Sequence, residues 1–112
     1  MKKVEAIIKP FLIDAVKCEL ERVGICGLTI SEVRGFGRQR GRTELFRGSE
    51  YIIDFKPKMK LELIVRDDQV DMVLGAILKS ARTGRIGDGK IYVLPLDEVV
   101  RIRTDERGDA AV

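Results

Sequence analysis

An internal repeat constrains this chain more than any other feature. With Lys3 laid on Lys60, the run Lys3-Val4-Glu5-Ala6-Ile7-Ile8-Lys9 falls over Lys60-Leu61-Glu62-Leu63-Ile64-Val65-Arg66. The same alignment carries Ile13-Asp14-Ala15-Val16 onto Val70-Asp71-Met72-Val73, Leu20 onto Ile77 and Gly27 onto Gly84. Charged and apolar types stay in step through a strand pattern and then a helix pattern. Two unrelated strand–helix units can share such a pattern by chance. The bolder reading is a duplicated βαβ unit, as in ferredoxin-like folds.

Local signals agree with duplication. Val4, Ala6 and Ile8 alternate around Glu5, and Leu61, Leu63 and Val65 around Glu62, which suits strands with one wetter face. The first helical stripe is Val16, Leu20 and Val23, with Gly24 as a stop. The second is Val70, Val73, Leu74, Ile77, Leu78 and Ala81, with Asp67 as N-cap, Arg82 in the last turn and Gly84 as a stop. Further strands are expected at 28–35 and 90–93, with a short one at 100–103. The expected fold is α+β: a ferredoxin-like β-α-β-β-α-β sandwich in one domain, 1–112, with a long loop between the second and third strands and a tail at about 104–112. Both helices cover one sheet face. A chain of 112 residues has nothing left for the other, so symmetric self-association is expected.

Composition removes several function classes. The chain has no histidine, which excludes His-based triads, His metal sites and imidazole proton shuttles. Cys18 and Cys26 form neither CxxC nor a zinc pattern and read as reduced, structural thiols of a cytoplasmic protein. A net charge of +3, with acids nearly as numerous as bases, gives no argument for nucleic acid. Glu5, Lys9 and Pro10 interrupt any signal-peptide core, and the longest uncharged apolar run, 72–78, is far short of a membrane span, so no membrane insertion is expected.

The connection 37–55, GRQRGRTELFRGSEYIIDF, is long and without clear periodicity. Such connections are usually functional or disordered. This one holds four arginines, Gly37, Gly41 and Gly48, and the aromatics Phe46, Tyr51 and Phe55. One reading is a solvated insertion. The sharper one is a recognition arm whose shape is set by a ligand at its base. Ser49 and Tyr51 are candidate modification sites, where an added phosphate or nucleotidyl group would change the arm's charge.

Two glycine clusters bear on phosphate. Gly84-Arg85-Ile86-Gly87-Asp88-Gly89-Lys90 fits GxxxxGK but is followed by Ile91 rather than Ser or Thr. It also follows a helix and enters a strand, the reverse of a P-loop, so the Walker assignment is rejected. Its glycines can still bring backbone N–H groups close to an anion, with Lys90 as the charge; the plainer alternative is a conformational turn. A second cluster, Gly35-Phe36-Gly37-Arg38-Gln39, ends the second strand, and adjacent middle strands would bring the two clusters near each other. Arg101 and Arg103 are expected on one face of the short last strand.

At these motifs the sequence resembles the PII nitrogen-regulatory family over nearly its whole length, through SEVRGFGRQRG (31–41), RGSEY (47–51) and TGRIGDGKIYV (83–93). The resemblance implies a homotrimer with nucleotide clefts between subunits, binding ATP or ADP. In that reading Gly35, Phe36, Gly37, Arg38 and Gln39 form one wall. Glu62 and Ile64 lie near the base, Gly87, Asp88, Gly89 and Lys90 hold phosphates, and Gly27, Leu28, Thr29, Arg101 and Arg103 come from the neighbouring subunit. With ATP, Mg²⁺ held by Gln39 would recruit 2-oxoglutarate, whose carboxylate meets Lys58. Gly37, Gln39, Arg40, Gly41 and Gly87 would complete that site and bend the arm's root. Implied partners are ammonium channels, nucleotidylyltransferases, histidine kinases and acetylglutamate kinase. Tyr51 matches the family's uridylylation position and Ser49 a phosphorylation position of cyanobacterial relatives. Phe46 stands where the family often has tyrosine, and Tyr92 where it often has phenylalanine. The competing functions are a slow ATPase, using Asp88 or Glu62, and a single-stranded RNA module. The latter would need stacking aromatics on the central strands, whereas this chain's aromatics lie mainly in the loop.

Overall fold

The computed structural model describes the backbone at 1–36, 43–46, 49–52 and 55–112, and side chains at 1–36 and 55–112. Strands β1 (Lys2–Ile8), β2 (Thr29–Gly35), β5 (Lys56–Val65) and β6 (Lys90–Pro95) form one antiparallel sheet in the order β2-β5-β1-β6. Helices α1 (Ile13–Arg22) and α2 (Val70–Ala81) follow β1 and β5. This is the ferredoxin-like α+β arrangement, with the two middle strands β2 and β5 paired from Thr29↔Glu62 to Gly35↔Lys56.

The repeat is real in three dimensions. Val4, Ala6 and Ile8 on β1 are buried, and so are their counterparts Leu61, Leu63 and Val65 on β5. The helices repeat this: Val16 and Leu20 match Val73 and Ile77, all essentially without exposure. The alternation of period two on the strands and the stripe on the helices therefore meet in one core. Fully burying a side chain of this size contributes about 1.5–3 kcal/mol. Glu19 on α1 ties the helices at the surface through Lys79, 3.3 Å away.

Gly24 ends α1 at φ +90°, with its N–H on the Glu21 carbonyl at 3.0 Å. That is the left-handed stop expected of it. Asp67 is not the cap of α2. It opens a 3₁₀ turn, Asp67–Gln69, and its carboxylate accepts from the Met1 amine at 2.7 Å, while Gln69 Oε1 takes the Arg66 N–H at 2.9 Å. Arg82, expected in the last turn, instead turns the chain extended just past α2, at ψ 124°. Gly84, φ +83°, serves the turn beyond.

Two further expectations are corrected. The strand foreseen at 100–103 is reduced to an isolated bridge, Val100↔Arg107. The chain doubles back there: Arg101 N–H reaches the Glu106 carbonyl at 2.9 Å, Asp105 N–H reaches the Arg101 carbonyl at 2.8 Å, and Asp105 takes φ +62°. Arg101 and Arg103 thus share no strand face. The second correction concerns the arm, which is not without regular structure. It contains a hairpin of β3 (Thr43–Phe46) and β4 (Ser49–Ile52), in the register Thr43↔Ile52 to Phe46↔Ser49.

Cys18 and Cys26 are free, as expected, but both are exposed rather than packed as structural thiols. On the sheet face away from the helices, Ile64, Tyr92 and Leu94 remain exposed. Their parity follows from the register, which sends Val4, Leu63 and Val93 to the helix side.

Candidate functional site

The outer sheet face carries an open recess of about 1040 Å³ at the end where β2 stops and β6 begins. Ile7, Val33 and Tyr92 form its floor. One side is the arm's root, Gly35 and Phe36; the other is the turn Arg85–Lys90 between α2 and β6. Phe36 stacks obliquely on Phe55, with ring centroids 6.0 Å apart, so the two ends of the arm touch where they leave the sheet.

The recess is basic because of strand periodicity. Lys56, Lys58 and Lys60 occupy alternate positions on β5 and so project on one face, where Lys90 joins them from β6. Lys58 Nζ donates to the Gly87 carbonyl at 2.6 Å. Burial holds the Lys58 pKa below the usual lysine value, and repulsion from Lys9 and Lys56 adds to this, with Asp88 opposing.

The turn has conformational requirements that only glycine meets. Gly87 and Gly89 sit at φ +98° and +91°. A Cβ on Gly89 would also fall 1.7 Å from the Ile7 carbonyl oxygen, so the turn lies flat on β1. Asp88 is fully engaged. Its carboxylate accepts from Thr83 Oγ1, from the Thr83 and Gly84 N–H groups at 2.9 Å each, and pairs with Lys9 Nζ at 3.1 Å. The Thr83 hydroxyl is the largest cause holding the Asp88 carboxyl well below the usual carboxylate range.

Of the residues singled out in the sequence, the fold brings Gly35, Phe36, Lys58, Gly87, Asp88, Gly89 and Lys90 to this recess. Gly27, Leu28, Thr29, Glu62, Ile64, Arg101 and Arg103 do not line it. Thr29 and Glu62 face each other at the other end of the β2–β5 ladder, and Glu62 pairs with Lys60 at 3.1 Å. Gly37, Arg38, Gln39, Arg40 and Gly41 lie outside the described residues, as do the side chains of Ser49 and Tyr51. Sequence reasoning missed Lys56, Lys60 and Arg85. The alternation in Lys56-Pro57-Lys58-Met59-Lys60 is the available signal.

A ferredoxin-like α+β subunit, whose middle strands carry a long arm rooted at the edge of a basic, glycine-edged recess, is the class that fold and site define. The family model for nitrogen regulatory protein P-II matches residues 1–106. A P-II protein of Microchaete diplosiphon is 60% identical over the full length of both chains. One from Pasteurella multocida is 57% identical and P-II protein 1 of Escherichia coli K12 is 56% identical, again over the full length of both chains. The chain belongs to the P-II family of nitrogen regulatory proteins. Its role is therefore regulatory signalling towards targets of nitrogen metabolism rather than catalysis. No helix among the described residues is long and apolar enough to cross a membrane.

Proposed function

We propose that this chain senses nitrogen, carbon and energy status as a cytoplasmic homotrimer that binds ATP or ADP and, with Mg-ATP, 2-oxoglutarate. The observation that carries this reading is the recess itself, where Lys58 and Lys90 stand over a glycine turn at the root of the arm. A polyphosphate there would be met by two ammonium groups and by turn backbone. Gly27, Leu28, Thr29, Arg101 and Arg103, remote from the recess in one subunit, would complete it from a neighbour. The exposed Ile64, Tyr92 and Leu94 on the uncovered sheet face support such packing.

Among the described residues no group of three or more acidic, histidine or cysteine side chains could hold a metal. A hard cation would be held mainly by phosphate and keto-acid oxygens, with Gln39 as the side-chain ligand. The bound metal would supply the link between nucleotide and 2-oxoglutarate. By linkage, each ligand then raises the affinity of the other, typically by ~1–3 kcal/mol. ATP and ADP would favour different arm positions for partners such as ammonium channels, nucleotidylyltransferases, histidine kinases or acetylglutamate kinase to read. Modification at Tyr51 or Ser49 would alter the same surface.

Titration calorimetry tests this directly. 2-Oxoglutarate should bind with Mg-ATP and much more weakly with ADP or without nucleotide. Equal heats in all three titrations would refute the metal-linked switch, and a monomer by light scattering would refute the shared clefts. ATP turnover faster than about one per second, in the range typical of enzymes, would overturn the regulatory reading.

A further inference from the structure

Asp88 sits in the middle of the turn assigned to phosphate, yet its charge is of the wrong sign for an anion. Its hydrogen bonds resolve the contradiction. Both carboxylate oxygens are occupied: Oδ2 by the Thr83 and Gly84 N–H groups, and Oδ1 by Thr83 Oγ1 and Lys9 Nζ. The carboxylate thus bonds back to Thr83 and Gly84, where the turn begins, and closes residues 83–88 into a ring. Lys9, at the end of β1, also donates to Thr83 Oγ1 at 3.0 Å and fastens that ring to the sheet. The Lys9 and Asp88 side chains are 16% and 23% exposed, so their ion pair is screened less than one on open surface.

Resting on the proposed function, we infer that Lys9, Thr83 and Asp88 form a clamp that positions the glycine turn for the nucleotide, with Asp88 a positioning residue and not a phosphate ligand. The clamp holds Gly87 where its carbonyl meets Lys58, and Gly89 against the Ile7 carbonyl. It also keeps both oxygens of the turn's one carboxylate engaged within the protein, while Lys58 and Lys90 line the recess. A turn freed from the clamp would have to be ordered by the nucleotide itself, which weakens binding.

The test uses the full chain without ligand, then with ATP. Asp88→Asn, Lys9→Met and Thr83→Val should each speed amide exchange at 84–90, and weaken ATP binding, by about tenfold, the factor expected for a lost charge-assisted hydrogen bond. Lys9→Arg and Thr83→Ser, which keep the donors, should restore both readouts to near the parent values. Unchanged exchange and affinity in Asp88→Asn and Lys9→Met would overturn the clamp. So would faster exchange spread evenly over all strands, which marks a contact serving only the fold. Tighter ATP binding in Asp88→Asn would mean the carboxylate faces the phosphates after all. If the parent chain binds no ATP, the proposed function fails, while the exchange pattern at 84–90 still decides the clamp.

Discussion

Glu5 and Glu62 stand directly opposite each other in the β1–β5 ladder, and each is the other's counterpart in the repeat. The local dyad of the duplication therefore runs between two like charges. Facing carboxylates destabilise a strand pair. Here Lys3 reaches Glu5 at 2.8 Å, and Lys60 lies 3.1 Å from Glu62 and 3.9 Å from Glu5. The hydrogen bond from Lys3, foremost, holds the Glu5 carboxyl below its usual range, with Lys60 adding to the effect.

This arrangement predicts a pH-dependent stability effect. A depressed carboxyl contributes stability above its unfolded value, about 4.3 for glutamate, and loses it as pH falls towards the folded value. Lys60→Met should therefore lower the urea midpoint of the ligand-free chain at pH 7. The gap from the parent should close as the pH falls through the lowered range of the Glu5 carboxyl. A gap of the same size at low pH would assign the effect to packing of the lysine stem.

Two glycines make opposite predictions. Gly89→Ala should be severe, since φ +91° alone costs roughly 1–3 kcal/mol for a side-chain residue and its Cβ would overlap the Ile7 carbonyl. Loss of ATP binding and faster exchange at the β1–β6 junction are the expected readouts. Gly75→Ala lies within α2, where no atom stands within 4 Å of the added Cβ. It should stabilise the fold by about 0.5–1 kcal/mol, measured by urea unfolding.

Lys58 should make anion binding sensitive to alkali. Its pKa is lowered chiefly by burial, so its ammonium loses the proton below the ordinary lysine value of about 10.4. Affinity for 2-oxoglutarate in the presence of Mg-ATP should fall as pH rises through that lowered value, with proton uptake on binding. Lys58→Met should remove the alkaline limb and weaken 2-oxoglutarate more than ATP. Calorimetry in buffers of different ionisation heat measures both effects.

Leu61→Ala reports on the core. Leu61 is fully buried on the helix side of the sheet, opposite Ala6 on β1. Truncation there should cost about 2–5 kcal/mol, read from the urea midpoint at unchanged slope.

The fold was legible because duplication wrote its periodicity twice. The pattern of Val4, Ala6 and Ile8 is ambiguous alone, since Ile7 is also apolar, but its echo in Leu61, Leu63 and Val65 removes the ambiguity. The strand at 100–103 failed for a physical reason. Alternating Arg101-Ile102-Arg103 suits a strand, yet Asp105 adopts positive φ and Arg101 pairs with Glu106 at 3.2 Å, so the chain reverses before a ladder forms. At the site, glycine spacing revealed Gly87, Gly89 and Lys90. The hydrogen bonds of Asp88 were not legible, because Thr83 and Lys9 reach it from a turn and from a distant strand end.

The two ends of the arm leave the sheet side by side, pinned by the Gly35↔Lys56 pair and the Phe36–Phe55 contact. Closure of the arm is thereby supplied by the β2–β5 ladder. Lengthening a loop already closed in this way adds only ~0.6 kcal/mol per doubling. The arm can thus change in length at little expense to the sheet, so its span and the stability of its base are set almost independently.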